Sequence, residues 1–114
     1  ILFINDPKVK AQQISEDLQI DENIKLSELE YEELINKEGN WCFEKDIYKG
    51  LENADAVVVL TEWNEYSHIN WEIASNKLRK PGCVFDARSI LNKEDVIKND
   101  LKLWRIGDGY KLEK

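Results

Sequence analysis

Histidine occurs once, at His68, and cysteine twice, at Cys42 and Cys83. With no CxxC pair and no second imidazole, a zinc-type ligand set cannot be assembled, and neither a His-centred triad nor an HExxH helix can be written. Glycine is scarce as well. None of its five occurrences forms GxGxxG or the GxxxxGK of a P-loop, so a dinucleotide or a hydrolysed triphosphate finds no phosphate-binding turn. The longest apolar run, Ala56 to Leu60, is too short to span a bilayer, and no charged leader marks a secretory signal. The expected compartment is the cytoplasm. Both thiols sit in apolar surroundings, Trp41-Cys42-Phe43 and Cys83-Val84-Phe85, with no base beside them. They are expected as small core side chains, and His68 as a surface or helix-start residue.

What is present is a balanced globular composition, 42% hydrophobic and 34% charged. The 114 residues suffice for one core but not for a cofactor domain and a substrate domain together. Against 16 basic side chains stand 23 acidic ones, a net charge of -7, which repels nucleic acid and anionic membrane. An anionic ligand would need a local cluster of donors.

The chain opens on Ile1-Leu2-Phe3-Ile4, an uncapped apolar run that reads as a strand already inside a sheet, as if the natural start of the domain were missing. Asp6 and Pro7 resemble an N-cap and first-turn pair, and Ala11, Ile14 and Leu18 share one face, which predicts a helix over 7–18. An acidic excursion follows to Asn40, with a short helix expected around Ser27 to Lys37. Trp41 to Phe43 is a strand candidate, and Ile47, Tyr48 and Leu51 give a short helix its buried side despite Gly50. Ala56 to Thr61 is the strongest strand. It is apolar without alternation, as a central parallel strand covered on both faces should be. Asn70 can cap a helix carrying Trp71, Ala74 and Leu78, stopped by Pro81-Gly82. Cys83 to Phe85 is a strand ending at Asp86, then come a helical turn through Ile90 and Leu91, a polar loop, and a last strand over 102–106 closed by Gly107-Asp108-Gly109. This alternation predicts an α/β class, a doubly wound, mostly parallel sheet in a single domain.

In such sheets ligands bind outside the carboxyl ends of the strands, which directs attention to Asp6, to Thr61, Glu62 and Trp63, and to Asp86 through Ser89. Arg88 is the strongest candidate, because guanidinium offers five donors in a fixed fork suited to phosphate or a base edge. Asp86 is close enough in sequence to orient it, or to hold it in a structural ion pair. Glu62 and Trp63 have a blander reading, in which the indole packs and the carboxylate caps a turn.

Three segments in order, Phe3-Ile4-Asn5-Asp6-Pro7-Lys8-Val9, Ala54-Asp55-Ala56-Val57-Val58-Val59-Leu60-Thr61-Glu62-Trp63 and Val84-Phe85-Asp86-Ala87-Arg88, resemble the carboxyl-terminal domain of the UDP-glucose dehydrogenases. Members of that family read Y-D-P, then a valine-rich strand ending in T-E-W, then D-G-R or D-A-R, at similar spacing. The resemblance extends from Ile1 to about Gly107. It implies a Rossmann-like domain without its first strand and helix, belonging to an enzyme that oxidises UDP-glucose to UDP-glucuronate. In that enzyme NAD is bound by an amino-terminal domain, and a central helical region carries the catalytic cysteine and makes the dimer. Neither is present in these 114 residues, and neither Cys42 nor Cys83 matches that cysteine. Arg88 matches the arginine that contacts the nucleotide sugar, with Asp86 behind it; the family's lysine motif on the preceding strand would lie before Ile1. Ala87 stands where many members have glycine, and Asp108 where members often have a basic residue.

The resemblance further implies UDP-glucose, the other enzyme domains and further copies of the chain as partners. Ile1 to Ile4 resembles the second strand of the doubly wound order, in which the first lies between the second and the fourth. Direct pairing of Ile1–Ile4 with Val57–Leu60 is therefore not expected. Three alternatives stand beside this reading. They are a non-catalytic nucleotide-binding or regulatory module of receiver type, for which Asp6 lacks an acidic neighbour; a dehydrogenase for another nucleotide sugar; and a fragment that serves packing between protomers.

Overall fold

In the computed structural model, which describes residues 2–30, 33 and 40–107, strands alternate with helices and every described strand pair is parallel. The α/β class expected from the sequence is what forms. The chain divides into two units, residues 1–50 and 51–114, each with its own sheet.

In the first unit β1 (Leu2–Ile4) pairs with β2 (Trp41–Phe43), Phe3 opposite Cys42. The far edge of β2 is closed by the segment before it. Asn23 N–H donates to the Trp41 carbonyl, Phe43 N–H to the Glu22 carboxylate, and the Trp41 indole to the Ile20 carbonyl, so few polar groups around the buried Trp41 are left unmatched. A 3-10 turn (Ile24–Glu28) places Leu26 in this small core with Ile14 and Cys42. The helix expected over Ser27–Lys37 falls largely outside the described residues.

The first helix, α1 (Ala11–Leu18), starts later than the expected Pro7. Asp6 Oδ1 accepts from the amides of Lys8 at 2.8 Å and Val9 at 3.0 Å, closing a turn of its own, and Lys10 is then extended (φ −86°, ψ 155°). Asp6 caps that turn and leaves the helix without a side-chain cap. Across the division between the units runs α2 (Ile47–Leu51), which Gly50 does not interrupt.

The second unit orders its strands β3 (Ala56–Val59), β4 (Cys83–Asp86), β5 (Lys102–Arg105). The helices between them are α3 (Asn64–Ser67), α4 (Trp71–Lys77) and α5 (Lys93–Ile97). The register aligns Val57, Val84 and Leu103 on one face, and Val84 and Leu103 are fully buried. Trp71, Ala74, Leu78, Leu91, Val96 and Leu101 are buried in the same unit. Asn70 caps α4 as expected, its side chain accepting from Ile73 N–H at 3.2 Å.

Two expectations about this unit are corrected. The strong apolar strand is not central: β3 pairs only with β4 among the described residues, and Val58 (58% exposed) and Leu60 (66% exposed) are uncovered. A run that reads as buried on both faces here has one face buried. The helical turn expected at Ile90–Leu91 is also displaced, to α5, because Asn92 rather than a residue near Arg88 supplies the cap, accepting from Asp95 N–H at 3.0 Å. Cys42 is buried, Cys83 is half-buried in β4, and His68 is exposed just after α3. Of Gly107-Asp108-Gly109, only Gly107 lies within the described residues.

Candidate functional site

The carboxyl ends of β3, β4 and β5 are tied together by the loop that carries Arg88. The Ala87 amide donates to the Val59 carbonyl at 3.0 Å, and the Ile106 amide to the Asp86 carbonyl at 3.2 Å, linking the loop to strands on both sides of β4. Ser89 then turns the chain with φ 55°, and its hydroxyl donates to the Ile106 carbonyl at 2.8 Å. Residue 89, and not Ala87, takes the left-handed conformation, so alanine in place of glycine at 87 costs no backbone strain.

Asp86 is fully buried, yet both its oxygens are used. Oδ1 accepts from the Arg88 amide at 3.0 Å and Oδ2 from the Leu91 amide at 2.9 Å. It thus fixes the loop by its backbone, whereas the sequence reading expected it beside the guanidinium. Burying a carboxylate is costly unless its lone pairs are filled, and two amides from one loop fill them.

The guanidinium finds a different partner. Nε donates to Glu62 Oε1 at 3.0 Å, and Nη2 donates to the same oxygen. Glu62 lies just past β3, so the β3–β4 register, Val59 opposite Asp86, sets the two loops side by side. The carboxylate was expected to cap a turn; it pairs with Arg88 instead. Trp63 is half-buried, and its indole nitrogen is the one buried side-chain polar atom without a hydrogen-bond partner among the described residues. Asp6 belongs to the other unit, where its carboxylate is committed to the Lys8 and Val9 amides. The sequence marked Ser89 only as one of the strand-end residues, without a role, and passed over Arg105, whose Nη1 donates to the Leu91 carbonyl at 3.3 Å. Nothing in their local sequence marks either role.

Chemically the site can donate. Arg88 keeps both Nη1 hydrogens and one on Nη2 without a partner among the described residues, and no metal-ligand cluster lies among those residues. The described strand ends do not fit NAD: the turn after β1 has no glycine, and the amides a pyrophosphate would need there are taken by Asp6. No helix among the described residues is long and apolar enough to cross a membrane.

Comparison with known proteins identifies the family. The model of the UDP-glucose/GDP-mannose dehydrogenase family, UDP binding domain, matches residues 1–93. The chain is 32% identical over 106 residues to a UDP-glucose 6-dehydrogenase of Caenorhabditis elegans, covering 93% of this chain and 20% of that protein. It is 33% identical over 104 residues to the enzyme of Pongo abelii, covering 89% and 18%, and 30% identical over 109 residues to that of Drosophila melanogaster, covering 96% and 21%. The chain thus spans about a fifth of the length of these curated relatives. By the family match over most of its length, with the Glu62 and Arg88 loops at the strand ends where ligands bind, the chain belongs to the UDP-glucose/GDP-mannose dehydrogenase family, as its UDP-binding domain.

Proposed function

We propose that this domain binds the nucleotide sugar in an NAD-dependent UDP-glucose 6-dehydrogenase, with Arg88 as the direct contact and Asp86 fixing the loop behind it. The observation that carries this reading is the presentation of Arg88. Its loop is hydrogen-bonded to the ends of β3 and β5, and its guanidinium keeps donors without a partner among the described residues. Binding energy spent on ordering a flexible arginine is thereby reduced, since the backbone that bears it is already fixed.

Under the same reading the oxidant is NAD, held by a domain outside these residues, and the enzyme is a cytoplasmic homo-oligomer that converts UDP-glucose to UDP-glucuronate. The domain is completed by a further strand and helix, which we place against the open edge of β3 and over the row Val58, Phe85 and Trp104. That row shares one face by register, with Phe85 and Trp104 rings 6.5 Å apart, and Val58 on it is exposed. Parallel strands are ordinarily covered on both faces. Titration of the complete polypeptide with UDP, UDP-glucose and GDP-mannose tests the assignment. UDP and UDP-glucose should bind and GDP-mannose should bind more weakly; preference for the guanine nucleotide would move the chain to another member of the family.

A further inference from the structure

Glu62 holds the Arg88 guanidinium along one edge only. Nε and Nη2 both donate to Oε1, so the two donors of one edge of the fork converge on a single oxygen. The opposite end, between Nη1 and Nη2, stays without a partner among the described residues. The side chains are 48% and 57% exposed, and a pair so accessible contributes little to stability, so its consequence is geometric. A carboxylate competing with the ligand would take the end of the fork, where two parallel bonds can form to one anion. Glu62 takes the side instead and leaves that end available.

Resting on the reading of Arg88 given above, we infer that Glu62 is a positioning residue, which holds the Arg88 fork with its free end turned to the nucleotide sugar. The loops that bring the two together are themselves fixed. The Ala87 amide bonds the last residue of β3, Glu62 follows that residue by three positions, and Asp86 holds the Arg88 amide from the other side. An unpaired arginine at the same place would sample many rotamers and lose that freedom on binding.

The test is a double-mutant cycle in the complete polypeptide, using Glu62→Ala, Glu62→Gln, Arg88→Ala and the double variant Glu62→Ala/Arg88→Ala. Affinity for UDP-glucose, KM for NAD, kcat and the melting temperature are read for each. Glu62→Ala should weaken UDP-glucose binding about two- to fivefold, the scale of an exposed charge pair. Glu62→Gln should lose less, because its amide oxygen still accepts from Nε and Nη2. In the Arg88→Ala background, removal of Glu62 should change UDP-glucose affinity no further, and Glu62→Ala alone should leave KM for NAD and melting temperature at wild-type values. Tighter binding by Glu62→Ala would overturn the inference by showing a competitor, and an additive double variant would overturn it by showing an independent contact. If Arg88→Ala weakens UDP-glucose while Glu62→Ala does not, the positioning role alone is lost. If Arg88→Ala leaves affinity unchanged, the reading of Arg88 falls and this inference with it.

Discussion

Asp86 and Arg88, two residues apart at the end of β4, are joined through the arginine's backbone amide while its charge is matched by Glu62. The separation of these tasks has measurable consequences. Asp86→Asn keeps the shape but replaces one acceptor oxygen with a donor that must face the Arg88 or Leu91 amide. Because Asp86 is fully buried, the change should destabilise the fold by about 1–3 kcal/mol, the cost of leaving a buried polar group unsatisfied. Thermal and urea unfolding of the variant check this. A melting temperature equal to wild type would show that the two amide bonds do not hold the loop.

Gly82 precedes β4 in a place where a methyl group does not fit. A Cβ built there would lie 2.6 Å from Leu101 Cδ2 and 3.5 Å from Leu78 Cδ1, and both leucines are buried. Gly82→Ala should therefore cost about 1–3 kcal/mol through overpacking, whatever it gains in chain entropy. Denaturant unfolding gives the number; a stabilised variant would mean that Leu101 rotates away freely.

The open side of the β3 sheet should make the 114-residue chain associate. An edge strand with Val58 and Leu60 exposed is a template for pairing with another chain. Sedimentation should show mass rising with concentration, and Val58→Lys should reduce it. Wild type and variant sedimenting alike as monomers would show that this face is not adhesive.

The same chain should not reduce NAD with UDP-glucose at any substrate concentration. It has no glycine-rich phosphate turn, Cys42 is buried in the first core, and Cys83 is half-buried within the apolar run of β4 with no base beside it in sequence. Absorbance at the reduced-nicotinamide band checks this against a blank, and turnover above the blank would contradict the division of roles proposed above.

The sequence conveyed the parts of this molecule governed by short-range chemistry. Asn70 before Trp71, Ala74 and Leu78 is a capped amphipathic pattern and it formed; so did the valine-rich β3 and the alternation of strand and helix. Arg88 stood out because a forked cation after a buried strand is unusual. What stayed hidden depended on which strands pair. Ala56–Leu60 reads as buried on both faces, yet its neighbours in space decide that, and among the described residues β3 pairs only with β4. Likewise Glu62 and Arg88 are 26 positions apart, and their contact follows from the β3–β4 register rather than from either local sequence. Asp6-Pro7 looked like a helix cap because an Asx turn and an N-cap use the same side chain, and local sequence does not separate them.

The direct test of Arg88 as the nucleotide-sugar contact is calorimetric titration of UDP-glucose into the complete polypeptide, wild type against Arg88→Lys. An ammonium cannot reproduce a forked contact, so the variant should lose about 1–3 kcal/mol of UDP-glucose binding while NAD affinity and melting temperature stay at wild-type values. Unchanged UDP-glucose affinity with a lowered melting temperature would contradict it, and would leave Arg88 as the structural partner of Glu62 alone.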